Sequence, residues 1–213
     1  MKSIKTLTIL CLILFLSVVG CSDVRKEYYD NDMLKSEYNY KNDRKQGLAK
    51  FYYKSGELAW KANHKNGKLE GLFEWYYKSG KVLIKCTYNN GKKEGLYKEY
   101  YKNWKLKIEE NYKNSKLDGL SKEYYQNGKL KIEENYKNGK LDGLSKFYYK
   151  SGDLLTECIY NNGKKRFAKT YSKNGKIAFM KTYKNGQLKT IKVYDERGKL
   201  YFEHEYPKGT EES

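Results

Sequence analysis

A 24-residue period runs through this chain and limits what it can fold into. The stretch from Tyr136 to Ile159, YKNGKLDGLSKFYYKSGDLLTECI, is one copy. Its first residue recurs as Tyr40, His64, Tyr88, Tyr112 and Tyr160, and its internal glycine as Gly47, Gly71, Gly95, Gly119 and Gly143. A tyrosine pair recurs from Tyr52-Tyr53 through Tyr148-Tyr149 in the same register. A fixed period of this size marks a repeat architecture, in which each unit leans on its neighbours.

Each unit carries two turn signals, clearest in Gln126-Asn127-Gly128-Lys129 and Lys137-Asn138-Gly139-Lys140. Asn-Gly between alternating segments is a strong hairpin signal, because both central residues of a type I′ turn need positive φ. Both turns are therefore expected to be type I′, leaving two strands per unit. The fold class that follows is all-β: consecutive antiparallel β-hairpins in 24-residue units, forming one long, twisted meander sheet free to curl.

Pairing across the two turns sets Tyr125 opposite Leu130, Glu123 opposite Ile132, Leu130 opposite Phe147, Ile132 opposite Ser145 and Tyr136 opposite Leu141. One face then collects Tyr125, Leu130, Ile132, Tyr136, Leu141, Phe147 and Tyr149, and is apolar. The other carries Tyr124 with Lys131, Lys122 with Glu133, and Leu120 with Asn135. Gly119 and Gly143 fall within strands, where a bulge would move this register by one. A single layer leaves that apolar face to curl, dimerise or bind.

The first 20 residues read as a targeting segment: Lys2 and Lys5, then an apolar run from Leu7 to Val19 too short to span a bilayer comfortably. The tetrapeptide Val18-Val19-Gly20-Cys21 resembles the lipobox of bacterial lipoproteins. That resemblance implies cleavage before Cys21, thioether attachment of diacylglycerol to its thiol, and acylation (palmitate) of the new amino terminus; more than one chain makes such an anchor stable. The expected localisation is the cell envelope, lipid-anchored to a membrane (the outer membrane if the cell is Gram-negative, since Ser22 and not Asp follows the cysteine). Cleavage takes the formal net charge from +18 to +16, because Lys2 and Lys5 leave.

The division is thus 1–20 lipoprotein signal peptide, 21–27 lipidated tether, 28–206 hairpin repeats, and 207–213 polar tail. The units after Tyr160 shorten to 23 residues, and Phe167 replaces the internal glycine, as in terminal caps. The sequence has 24 Tyr and 44 Lys plus Arg, with a mean hydropathy of −0.99. Lys131 near Glu133 and Lys107 near Glu109 describe a solvated sheet face rather than a concentrated basic patch, and no nucleic-acid partner is expected.

The run Tyr-x-Asn-Gly-x-x-x-Gly-x-x-x-x-Tyr-Tyr-x-x-Gly resembles the bacterial variant of the MORN repeat, a group some of whose members are labelled antitoxins. Lys137-Asn138-Gly139, Gly143, Tyr148-Tyr149 and Gly152 match one copy; Asn66-Gly67, Gly71, Tyr76-Tyr77 and Gly80 match another. Asp43, Ser115 and Trp104 depart from it at glycine positions. The resemblance implies hairpin repeats and an interaction role, and carries over no catalytic residues.

No catalytic constellation is expected, nor a cofactor or a metal. His64 stands at a tyrosine position and reads as a packed ring; Glu203 and Glu205 flank His204 on the opposite face. Cys86 and Cys158 lie three units apart, beyond disulfide reach, and read as buried free thiols. Three functions remain open: a membrane-anchored lipoprotein scaffold for a protein partner, a toxin-neutralising antitoxin or immunity protein, or a module binding envelope glycan or anionic lipid.

Overall fold

The computed structural model describes residues 22–207, so the targeting segment, Cys21 and most of the tail lie outside the described residues. Eighteen strands form one antiparallel sheet in which each strand pairs with the next along the chain. The regular centre shows the plan: β10 (Lys116–Tyr124), β11 (Leu130–Lys137), β12 (Lys140–Leu141), β13 (Gly143–Tyr148) and β14 (Leu154–Asn161). The strands β12 and β13 are one strand broken by a bulge at Asp142, as are β7 (Lys92–Lys93) and β8 (Gly95–Tyr100) around Glu94. The sheet is therefore sixteen strand positions wide.

The two turns of a unit differ. Asn138 and Gly139 both have positive φ, 52° and 81°, as a two-residue type I′ turn demands. At Gln126-Asn127-Gly128 only Gly128 is left-handed, at φ 91°. Its N–H reaches the Tyr125 carbonyl at 2.8 Å while the Tyr125 N–H reaches Lys129 at 2.8 Å, closing a three-residue loop with a glycine bulge. The second turn is thus a correction to the type I′ expectation. Trp104 fills that glycine position with φ 69°, and is exposed.

The pairing also departs from the simple count. Glu123 does face Ile132, Leu120 faces Asn135 and Tyr136 faces Leu141. Leu130, however, pairs with Tyr124 rather than Tyr125, because a bulge falls between Glu123 and Tyr124. Across the Asn138-Gly139 hairpin Phe147 meets Ile132 and not Leu130, and Ser145 meets Cys158 across the next hairpin. The mid-strand glycines cause the second shift: Gly143 sits at φ 100° and Gly119 at φ 107°. Residues 22–27, expected as a tether, form most of β1 (Ser22–Tyr28), paired with β2 (Leu34–Lys41).

Among the described residues nothing forms a second layer on this sheet, and its burial reflects that. The buried apolar side chains are small: Ala49, Ala59, Ala62, Cys86, Cys158 and Ala168. Large rings on adjoining strands roof them. Tyr38 pairs with Ala49, and its ring meets that of Trp60, one strand beyond, at 6.2 Å. Among apolar side chains, only ones this small are enclosed by a single layer between bulky neighbours.

Candidate interaction surface

On one face, strand alternation builds an aromatic strip across the first third of the sheet. Phe51 stacks on Trp60 at 5.8 Å, Trp60 on Phe73 at 6.0 Å, and Phe73 meets Tyr88 edge-on at 6.0 Å. Trp75 pairs with Trp60 and Ile84 in the same row and is 39% exposed. Lys45 Nζ lies 3.6 Å above the Tyr38 ring, a cation–π contact. His64 packs against Tyr38 at 6.2 Å; burial, then Lys45, hold its imidazole below the usual range. It is the packed ring its position foretold.

Toward the centre this face changes character. Glu99 stands between Ile84 and Ile108, and Glu123 between Ile108 and Ile132. In the adjoining row Ser121 separates Glu110 from Glu134. Lys107 and Lys131 reach Glu99 and Glu123 at 2.6 and 2.7 Å, while the Tyr112 and Tyr136 hydroxyls donate to Glu110 and Glu134 at 2.9 and 2.8 Å. Burial, then these carboxylates, push both phenols well up. The expected apolar face therefore carries a carboxylate patch. The adjacent Glu133-Glu134 pair was its signal, since neighbours in a strand point to opposite faces.

The opposite face bears a ladder of charge. Lys26 meets Glu37 and Glu37 meets Lys50. Further along, Lys61, Glu74, Lys85, Lys98, Glu109, Lys122, Glu133, Lys146 and Glu157 follow strand by strand. The row ends with Lys192 opposite Glu203. Glu74 is its most buried member, 3.0 Å from Lys61 and 3.5 Å from Lys85. Burial alone would raise its carboxyl; Lys61, the Tyr76 hydroxyl and Lys85 outweigh that and hold it below the usual range. Tyr76 shares this face, donating to Glu74 at 2.9 Å. The strand charges thus largely pair, while the turn lysines Lys65, Lys68, Lys137 and Lys140 are exposed.

Two stitches join successive units. At the Asn-Gly edge the Gly139 N–H donates to the Leu117 carbonyl at 2.7 Å, and the Asn138 N–H to Asp118 at 3.0 Å. Glu70, Glu94 and Asp142 do the same for Asn90, Asn114 and Asn162 at 2.7 to 2.9 Å. At the other edge the second tyrosine of each pair donates to the carbonyl of the next unit's first: Tyr53 to Tyr76, Tyr77 to Tyr100, Tyr101 to Tyr124 and Tyr125 to Tyr148, at 2.7 to 2.8 Å. Tyr53, Tyr77, Tyr101 and Tyr125 thus tie turns together instead of filling a core.

Cys86 and Cys158 are free and buried, and burial pushes both thiols up. No three His, Cys, Asp or Glu side chains gather as metal ligands among the described residues.

Hairpins stitched edge to edge, with a charge ladder on one face and an aromatic strip on the first units of the other, define a β-hairpin repeat protein built from units of a single sheet. A family model for the MORN repeat variant matches residues 24–42, 45–66, 69–90, 93–114, 117–138, 141–162 and 168–185. The chain belongs to that family. No curated protein matches it.

Proposed function

We propose that this chain is an exported lipoprotein, held to a membrane of the cell envelope through Cys21, whose repeats present a binding surface to a protein partner. The observation that carries the reading is the aromatic strip from Phe51 to Tyr88, with Trp75 39% exposed on a sheet that no other described residue covers. Aromatic side chains are enriched at interface centres because they bury much area at little entropic cost. Enzymatic activity forms no part of this reading.

The anchor is tested by labelled lipid incorporation: Cys21→Ala abolishes it, and retained label refutes the anchor. The partner is tested by capture from detergent-solubilised envelope, comparing the chain with Trp75→Glu. Capture of a protein that Trp75→Glu loses supports the reading. A captured toxin whose growth inhibition the chain relieves makes it an immunity protein.

A second reading, binding of envelope glycan or anionic lipid, draws on the edge of the sheet. There Tyr53, Tyr77, Lys78, Ser79, Lys81 and Lys102 line an open depression of about 570 Å³, an aromatic and basic combination suited to sugars bearing negative charge. Retention on purified glycan or anionic vesicles, insensitive to Trp75→Glu and lost on Lys78→Ala with Lys81→Ala, favours it.

A further inference from the structure

The two ends of the sheet are the two halves of one repeat unit. At the start, β1 stands alone as the second strand of a unit: Lys26 and Tyr28 hold the places of Lys146 and Tyr148 five units on. At the finish, β18 (Leu200–Glu205) stands alone as the first strand of a unit, Glu203 holding the place of Glu133. Within the chain these two kinds of strand pair directly, with Glu133 opposite Lys146. Only the Asn-Gly turn that joins them inside is missing outside.

We propose that β18 of one copy pairs with β1 of a second copy, head to tail, in the register that sets Glu203 opposite the other copy's Lys26. The register is the one used at every interior junction of this type, so the free N–H and C=O groups of both edges are already in phase. It extends the charge ladder by one opposite-charge step: Lys192 pairs with Glu203 at 3.0 Å inside the chain, and Lys26 is the ladder's other end. It sets Tyr201 opposite Tyr28, 82% and 59% exposed in the single copy. The chain's own β1 does not serve, since sixteen strand positions at about 4.8 Å separate the two edges of an open sheet. Because this contact joins unlike surfaces, it leaves a free edge at each end and propagates into chains of copies.

The test uses the full chain in non-ionic detergent, so that neither lipid at Cys21 nor an uncleaved apolar run before it drives association. Sedimentation velocity over a concentration series reads the association. Glu203→Lys and Lys26→Glu each weaken it by roughly tenfold through like charges directly opposite, and the double variant recovers it to within about threefold. In the same register Glu205 faces Val24, so Val24→Cys chains mixed with Glu205→Cys chains form a disulfide-linked pair, and neither variant does so alone. A chain that stays monomeric to about 1 mM overturns the proposal. So does association indifferent to both reversals, cross-linking within one variant alone, or an edge that captures only extended peptides of other sequence.

Discussion

Along one edge of the sheet each Asn-Gly turn gives its backbone N–H groups to the unit before it; along the other, a tyrosine hydroxyl reaches to the unit after it. The first edge spends little side chain: the Gly139 N–H finds a carbonyl, and Asp118 takes the Asn138 N–H. The second depends on a whole aromatic ring, Tyr125, laid between turns to reach the Tyr148 carbonyl. The same spatial task therefore tolerates different substitutions. At the Asn-Gly edge the backbone conformation is the fixed requirement, met also by Asp43 and Ser115 at φ 58° and 63°. At the tyrosine edge the side chain is the requirement: the bonds run from Tyr53 to Tyr125, and beyond Tyr149 the equivalent positions hold Ser172 and Asp195, which have no phenol to reach the next turn.

The largest effect expected from breaking the contrast is at the first edge. Gly139→Val forces a β-branched residue to φ 81°, and is expected to cost about 2–3 kcal/mol in denaturant unfolding. Tyr125→Phe keeps the ring and removes only the hydroxyl that meets Tyr148; about 1 kcal/mol is expected to go. In the opposite sense, Trp104→Gly relieves an exposed aromatic residue held at φ 69°. A gain of about 1 kcal/mol is expected, read as a raised thermal midpoint.

The smallest effect is a pH dependence at Tyr171. Burial, then the hydrogen bond to Glu157, push this phenol up to about 12 from its ordinary 10. A folded-state value above the unfolded one means that its contribution is complete below pH 10. It is lost as the pH rises from 10 through about 12, because the unfolded chain sheds the proton first. Unfolding of Tyr171→Phe compared at pH 8 and pH 11 is expected to show a shallower alkaline loss than the parent chain.

Much of this was legible in the residues themselves. The period gave hairpins, and alternation placed Lys122 opposite Glu133. The turn type at Asn127-Gly128 was misread because Asn-Gly also serves where only the glycine is left-handed. The equivalent Lys54-Ser55-Gly56 held the clue, since serine seldom favours positive φ. The pairing of Phe147 with Ile132 depends on the bulge at Asp142-Gly143, which moves the register by two residues and keeps the alternation, so the pattern of apolar residues does not reveal its size. The carboxylates Glu110 and Glu134 were within reach of the sequence, because one member of each adjacent pair, Glu109-Glu110 and Glu133-Glu134, must face the apolar side. Their neutral partners, the Tyr112 and Tyr136 hydroxyls, are found only once the face is known. Of the candidate site, the aromatic strip was foreseen as an apolar face, and its confinement to the first units was not.

One measurement tests directly whether the sheet is an open single layer with a face left free. Small-angle scattering of the monomer at low concentration, with Glu203→Lys present to suppress pairing, reads its radius of gyration. Sixteen strands at about 4.8 Å span about 75 Å, and an open sheet of that width gives a radius of gyration of roughly 23 Å. A value near 17 Å, that of a compact globule of 213 residues, would mean that the face is folded against the chain itself, and would contradict the account.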